Sequence, residues 1–135
     1  MLIQWTQELS VENHKIDSEH QRWIEILNDF YNGLKSGQPK EKLNELILAM
    51  LDYTKYHFRS EEEYMSSISF PGMEEHKKLH QEYVDKITSF YEKIKSNKMI
   101  LSLEVTNFLK SWLINHIKGV DQKYADFAAI KESVS

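Results

Sequence analysis

Helical periodicity dominates this sequence and constrains its fold more than any other feature. Apolar residues recur at steps of three and four in four segments, at about residues 17–36, 40–66, 73–95 and 101–118. Strand-like alternation is nearly absent, and the few Gly and Pro residues lie mostly between the segments. Four helices with short connections favour an antiparallel up-down four-helix bundle, so we predict an all-α fold.

Residues that begin and end helices support these boundaries. Asp17 and Ser18 predict the N-terminal cap of the first helix, and Gly37 with Pro39 predicts its end. A Pro-Gly pair at residues 71–72 separates the second segment from the third. These signals predict the connections that an up-down bundle needs.

The two ends of the chain carry weaker patterns than the middle. Residues 1 to about 15 predict an N-terminal arm over one end of the bundle, and the residues from about Asp126 predict a short cap or frayed tail. No internal repeat, linker or low-complexity segment is found. We therefore expect one domain over residues 1–135 with nothing attached.

Composition excludes several classes of function. The net charge is −4, the pI is about 5.9, and no basic cluster stands out, which argues against nucleic acid and anionic membranes as partners. Cysteine is absent, so disulfides and thiolate metal sites are excluded. The N-terminus has no signal-peptide pattern, and no apolar run approaches the roughly 18 residues of a membrane span. We expect a cytoplasmic protein without membrane insertion.

Five of the six histidines lie on the apolar faces of the predicted helices. They are His20, His57, His76, His80 and His116. They fall near the start of helix one, the end of helix two, the start of helix three and the end of helix four, which meet at the same end of an antiparallel bundle. A single such histidine is more often a hydrogen-bonded core residue. Five together would bury many polar groups that need partners, and a metal satisfies them jointly.

The ligand types narrow the choice of metal. Five imidazoles exceed what one tetrahedral zinc accepts, and His with carboxylate and no thiolate suits iron, manganese or zinc. His57 and Glu61 are four residues apart and share a helix face, as do His76 and His80. The sequence therefore predicts a metal centre with imidazole and carboxylate ligands.

The last helix offers an acid at an unfavourable spacing. Asp121 follows His116 by five residues, which places it about 140° from the same face of a regular α-helix. Asp121 reaches the cluster only through a local distortion, such as a π-type widening eased by Gly119, or sideways. An unbroken regular helix with Asp121 in solvent would contradict this hypothesis.

With these residues identified, the chain resembles the hemerythrin family, and most closely its single-domain bacterial members. The iron-binding pattern of that family is H…HxxxE…HxxxH…HxxxxD. Here it reads His20, then HFRSE from residue 57, HKKLH from residue 76 and HIKGVD from residue 116. Flanking residues agree over essentially the whole chain, including Trp5, Ile16-Asp17, Phe58, Met65, Phe70-Pro71, Trp112-Leu113 and Tyr124.

The resemblance implies two non-haem irons bridged by Glu61, Asp121 and a solvent-derived oxo or hydroxo group. It implies that His76, His80 and His116 complete one iron, and that His20 and His57 bind the other. The second iron is then five-coordinate, and the family binds O2 there as a hydroperoxide. By this resemblance the function is reversible O2 binding, for carriage, storage or delivery, and the protein is not an enzyme.

Alternatives remain beside this interpretation. The same centre suits a di-iron redox enzyme, or a sensor of O2, nitric oxide or peroxide, and an O2-consuming enzyme or redox partner is a possible recipient. Zinc or manganese in a structural role is a third reading. Lys77 in the motif HKKLH argues against a zinc protease, which needs Glu there, and ferritin-type Glu-x-x-His pairs do not occur at the five histidines.

Residues around the ligands have expected roles as well. Five apolar or aromatic residues lie close in sequence to the predicted ligands, and we expect them to form walls that exclude water from the site. They are Trp23, Phe58, Trp112, Leu113 and Ile117. Tyr124 either supports the site with its hydroxyl group or only packs. His14 is expected in the arm and in solvent, and Glu62 and Glu63 are expected to face solvent.

Overall fold

The computed structural model describes residues 3–96 and 103–134, and every regular element within these ranges is helical. A 3-10 helix, Gln7–Leu9, comes first. The α-helices are α1 His14–Lys35, α2 Lys40–Ser67, α3 Met73–Lys95, α4 Leu103–Asn115 and α5 Asp121–Val134, with a π-helical segment His116–Val120 between the last two. Helix α1 packs on α2 and α4, and α2 packs on α3. The predicted all-α four-helix bundle is confirmed.

The helix boundaries agree with the prediction to within a few residues, except at the C-terminus. A short cap or frayed tail was predicted from about Asp126, but α5 continues as a helix to Val134. The fourth predicted helix begins at residues 101–102, which lie outside the described residues. The single domain over residues 1–135 stays a prediction.

The first helix begins earlier than Asp17 and Ser18 suggest. Asn13 is the N-cap, and its side-chain oxygen accepts a hydrogen bond from the backbone N–H of Ile16 at 3.0 Å. His14 is therefore the first residue of α1 rather than part of the arm, and it is exposed as expected. The prediction that Asp17 and Ser18 cap α1 was wrong, because the carboxylate of Asp17 binds the N-terminal arm instead.

Hydrogen bonds with Asp17 and Asn28 hold the N-terminal arm against α1. The carboxylate of Asp17 accepts hydrogen bonds from the Ser10 hydroxyl at 2.6 Å and from the backbone N–H of Val11 at 2.8 Å. Further along, Ile3 exchanges two hydrogen bonds with the side chain of Asn28, at 2.9 and 2.8 Å. The described part of the arm thus lies along α1 and is fastened at two points.

The turn after α1 follows the sequence signal. Gly37 adopts a left-handed φ of 74°, and its N–H bonds to the carbonyl of Leu34 at 3.3 Å. The N–H of Gln38 bonds to the carbonyl of Gly33 at 3.0 Å, which completes a Schellman ending. A residue with a Cβ is strained at this φ, so Gly37 allows the chain to reverse into α2.

Away from the buried histidines and acids, the interior of the bundle is apolar, and a few hydrogen bonds orient its large aromatic rings. Trp23 is fully buried and donates its indole N–H to the hydroxyl oxygen of Thr54 at 3.0 Å. Tyr83 donates its hydroxyl to the carbonyl of Leu109 at 3.1 Å. Each fully buried side chain of this size contributes about 1.5–3 kcal/mol to folding. None of the described helices is long and apolar enough to cross a membrane.

Replacing Asn13 by Ala is expected to lower the free energy of unfolding by about 1 kcal/mol, because the first turn of α1 loses its side-chain acceptor. Ser18→Ala is the matched control, since Ser18 is exposed within α1. Urea unfolding of the two variants measures the difference. A larger loss in Ser18→Ala would contradict the assignment of the cap.

Candidate metal centre

The seven predicted ligand residues converge on one buried point in the bundle. The histidines come from four helical segments, and the carboxylates from α2 and α5. Their side chains are between 0 and 2% exposed, so the cluster is closed to bulk water. The members are His20, His57, Glu61, His76, His80, His116 and Asp121. The structure brings all seven together.

The cluster divides into two groups that share Glu61. The first group contains Glu61, Asp121 and three histidines, and the second contains Glu61 and two histidines. Within each group the ligand atoms lie within 4.8 Å of one another. The three histidines are His76, His80 and His116, and the two are His20 and His57. This is the same division into three and two that the resemblance implies.

Asp121 also lies between the two groups. One carboxylate oxygen is 2.9 Å from Nε2 of His76 and 3.0 Å from Nε2 of His116. The other is 3.2 Å from Nε2 of His20, which belongs to the second group. Glu61 likewise places one oxygen 2.9 Å from Nε2 of His57 and 3.6 Å from Nε2 of His80. Each carboxylate therefore faces histidines of both groups.

A π-helical segment brings Asp121 into the cluster. Residues His116–Val120 form one wide turn between α4 and α5, and the side chain of Asp121 is fully buried. A wide turn spreads five residues over roughly one revolution, so positions 116 and 121 return to the same face. The predicted distortion is confirmed. Gly119 is not what permits it, because Gly119 has no left-handed φ and an added Cβ would meet nothing within 4 Å.

The site fits a metal because several of its buried polar atoms lie close to one another without forming a hydrogen bond. These include Nε2 of His20 and His57, one oxygen of Glu61 and both oxygens of Asp121. Buried polar atoms without partners are costly, by about 1–3 kcal/mol each and more for charged groups. Lone pairs aimed at a common centre are what a divalent cation needs. The donor set, five imidazoles and two carboxylates, fits two non-haem iron ions.

Protons supply part of the missing positive charge when no metal is bound. Burial alone would lower the pKa of His20, but the contacts with Asp121 and Glu61 outweigh it and raise that pKa to about 10. Burial also opposes protonation of His57, yet Glu61 and Glu19 raise its pKa. Burial and the charge of Glu61 disfavour ionised Asp121, but the neighbouring histidines lower its pKa to about 2.

Glu61 is held as a carboxylate for the same reason. Burial would raise its pKa, but His57 and His20 keep the pKa well below the usual range. His80 behaves differently, because burial lowers its pKa and leaves it neutral. A neutral imidazole is the form that binds a metal.

Glu19 is a functional residue that the sequence analysis missed. Its carboxylate lies 2.8 Å from Nδ1 of His57, on the side of the ring that faces away from the cluster. Such an acceptor fixes the orientation of a ligand histidine and raises its basicity. One signal was available, because Glu19 begins a buried face that continues through Trp23, Ile26 and Phe30 at helical spacing. A carboxylate on a buried helix face needs a hydrogen-bond or charged partner inside the protein.

Glu62 has the corresponding position beside His80, which corrects the expectation that it faces solvent. Its carboxylate is 2.9 Å from Nδ1 of His80, and its side chain is 28% exposed. Glu63 is exposed, as expected. Residues 80 and 62 lie on different helices, so no local spacing in the sequence indicates the contact.

Tyr124 supports the site with its hydroxyl group. The hydroxyl donates a 2.9 Å hydrogen bond to Glu61, and the side chain is fully buried. Burial and the charges of Glu61 and Asp121 raise the pKa of Tyr124 well above its usual value, so it remains a donor. Of the two roles that the sequence left open, the structure shows the supporting one.

Aromatic rings enclose the histidines on the side of α3 and α4. The ring of Phe58 stacks on His80 at 3.7 Å between centroids, and Trp112 stacks on His116 at 4.4 Å. Trp23 lies 5.1 Å from His57. The predicted wall residues are buried, with Trp112 half-buried at the edge. Water reaches this cluster poorly, which strengthens every charge interaction inside it.

A four-helix bundle that buries five imidazoles around two carboxylates defines a helical cation-binding protein. The chain matches the model of the hemerythrin HHE cation-binding domain over residues 11–128. It is 34% identical over 125 residues to bacteriohemerythrin of Stenotrophomonas maltophilia, a match that covers 93% of this chain and 80% of the relative. This chain belongs to the hemerythrin family.

Two further comparisons agree with this membership. Myohemerythrin of Theromyzon tessulatum is 35% identical over 121 residues, which cover 90% of this chain and 89% of the relative. A crystal structure of wild-type hemerythrin has a TM-score of 0.88 at 25% identity, and the match covers 93% of this chain and 97% of that one. The family is consistent with the prediction of a binding protein rather than an enzyme.

The raised pKa of His20 predicts how the metal-free protein responds to alkali. A histidine that binds its proton more tightly when folded stabilises the protein fully below its ordinary pKa of 6.5, and this stabilisation is lost as the pH rises to about 10. We expect the urea midpoint of the metal-free protein to fall between pH 6.5 and about pH 9.5. The fall should be smaller in His20→Gln. Equal slopes in the two proteins would contradict the charge assignment.

Proposed function

We propose that this chain binds O2 reversibly at a non-haem di-iron centre held by the seven clustered residues. The observation that carries the proposal is the buried arrangement of three and two histidines around two shared carboxylates, in a chain of the hemerythrin family. Two ferrous ions bound there would supply the two electrons that reversible O2 binding requires. The form in which O2 is held stays a prediction from the resemblance.

The two carboxylates are the residues that make a two-metal site from one cluster. Glu61 belongs to both groups of ligand atoms, and Asp121 contacts histidines of both. A carboxylate that has two oxygens and faces two cations can bind both at once. We therefore assign the bridging role to Glu61 and Asp121.

The unequal numbers of histidines suggest where a small ligand binds. The side of His20 and His57 has one histidine fewer than the side of His76, His80 and His116. A metal with fewer protein ligands retains a position for an exogenous one. We assign the O2 position to the side of His20 and His57.

The surroundings of that side suit a reversible reaction because they exclude water. Trp23 and Thr54 are fully buried, and the indole N–H of Trp23 is bonded to Thr54 rather than directed at the cluster. Glu19 accepts from the outer nitrogen of His57, so its charge is also directed away from the centre. A dry pocket without a free proton donor protects a reduced centre from oxidation.

A visible spectrum of the ferrous-loaded protein, recorded without O2, with O2 and after degassing, tests the proposal. We expect an absorption band that appears with O2 and disappears on degassing, with two irons per chain by metal analysis. A band that decays at once to a ferric spectrum would favour a redox enzyme or sensor over a carrier.

A ligand variant tests whether this cluster is the site. Glu61→Ala removes a proposed bridge, so we expect it to lose most of the iron and the O2-dependent band. Glu63→Ala is the control, because Glu63 lies two residues away on α2 and is exposed. Retention of two irons per chain in Glu61→Ala would mean that the assignment is wrong.

The contact between Glu62 and His80 generates a quantitative prediction. Glu62→Ala removes the acceptor that orients His80, so we expect iron affinity to fall by about 10–100-fold while the cluster stays intact. Glu63→Ala should change the affinity little. Anaerobic competition with a coloured Fe2+ chelator measures both variants. Equal affinities would show that Glu62 does not support the site.

Some finer expectations from the sequence stay predictions. They are a cytoplasmic location and delivery of O2 to an O2-consuming enzyme or a redox partner. The measurement of reversible binding precedes any search for such a recipient, because a centre that only reacts with O2 has nothing to deliver.

A further inference from the structure

A groove between α2 and α3 opens directly beside the candidate metal centre. It encloses about 530 Å³, within the range of roughly 300–1,000 Å³ that is typical of small-molecule sites. His80 lines its inner end, and its Nδ1 contacts Glu62, which lines the groove as well. The groove is therefore where the surface of the protein comes close to a proposed ligand.

Three cations line this groove without an ion pair. Lys55 and Arg59 come from α2 and Lys77 comes from α3. Within residues 3–96 and 103–134, no carboxylate lies within 4.0 Å of any of the three. Arg59 does not pair even with Glu63, which follows it by one helical turn and could do so.

The arrangement of these cations opposes stability. Lys55 and Arg59 are four residues apart on α2, where like charges repel each other. The chain as a whole carries a net charge of −4, so a concentration of cations is not a general property of its surface. Lys55 and Arg59 are exposed to water, and with Lys77 they are available to pair with an anion that binds between the two helices.

Two acids, Glu62 and Asp85, also line the groove, and neither forms an ion pair with one of the three cations. Glu62 contacts the imidazole of His80 at 2.9 Å, and Asp85 accepts a hydrogen bond from the side chain of Gln81 at 2.9 Å. Half-buried Val84 and Thr88 contribute apolar surface to the lining. The partners of both acids are uncharged, so the groove carries three cations and two carboxylates, a formal charge of +1. An anion there is therefore held by direct pairing with the cations, beside a partly apolar wall.

We infer that this groove binds a small dicarboxylate, with Arg59 and Lys77 holding its charged groups from the two sides. The planar guanidinium of Arg59 can bind a carboxylate through two parallel hydrogen bonds. Lys77 provides a second positive charge on the facing helix, and Lys55 adds to the local field. The apolar wall accommodates a short hydrocarbon chain between the two carboxylates.

A ligand bound in the groove can also affect the metal centre. This part of the inference rests on the proposed function. A dicarboxylate bound there lies beside Glu62, whose carboxylate orients His80. Displacing or repelling Glu62 changes the orientation and basicity of that imidazole. By thermodynamic linkage, a ligand that alters the centre is in turn bound differently when the centre is loaded.

Binding is tested first on the metal-free full chain, with succinate and inorganic phosphate as probes in calorimetric titrations. We expect succinate to bind more tightly than phosphate, and Arg59→Gln/Lys77→Gln to weaken it roughly tenfold or more. The control is Lys15→Gln/Lys78→Gln, which removes the same charge from exposed positions that do not line the groove. Circular dichroism establishes that each variant is folded.

Three results would overturn the inference. They are no binding of succinate, an equal loss of affinity in the control variant, and phosphate binding as tightly as succinate. An equal loss in the control variant would mean that affinity depends only on the net charge of the protein. Equally tight binding of phosphate would mean that the apolar wall does not favour a dicarboxylate.

The link to the centre is tested on the iron-loaded protein. We expect saturating succinate to change the O2 affinity at least about twofold in the wild type, and not in Arg59→Gln/Lys77→Gln. An unchanged affinity in the wild type would overturn the link. If the protein fails to bind iron or O2, the proposed function fails, whereas the titrations on metal-free protein still decide whether the groove binds a dicarboxylate.

Discussion

Two ionised carboxylates inside a helical bundle are the constraint on which the rest of this structure depends. Glu61 and Asp121 are fully buried, and an isolated buried carboxylate would be strongly destabilising. Without a metal, the protons held by His20 and His57 offset these two negative charges, and bound metal ions would offset them instead. Binding of metal ions at this site would therefore release the protons of His20 and His57, because an imidazole must be neutral to bind a metal.

This exchange requires that the imidazoles keep their orientation when the protons leave. Glu19 and Glu62 hold the outer nitrogens of His57 and His80, and Tyr124 holds the outer side of Glu61. The stacking of Phe58 on His80 restricts the same ring from its face. These contacts fix the orientation of the proposed ligand side chains, which lowers the cost of binding a metal.

The fold and the inner residues of the site could be predicted because they leave regular patterns in the sequence. Helical spacing indicated the four-helix bundle, and the spacing of His116 and Asp121 indicated a wide turn that the structure contains. The partners of the outer histidine nitrogens were harder to predict. Glu19 lies on a buried helix face, but its contact with His57 joins residues 38 positions apart, and Glu62 contacts His80 across two helices. The cap of α1 was predicted wrongly at Asp17, because its carboxylate accepts hydrogen bonds from the arm, a contact that helical spacing does not indicate.

The site is also tied to both ends of the described chain. Gln122, next to Asp121, donates a 2.9 Å hydrogen bond to the carbonyl of Ser10, across 112 residues of sequence. The 3-10 helix of the arm packs against the π-helical segment that positions Asp121. Contacts between such distant segments form late in folding, because the entropy of closing the loop must first be overcome. During synthesis on the ribosome, the centre would consequently stay incomplete until α5 has emerged, which delays metal capture until the whole bundle can close around it.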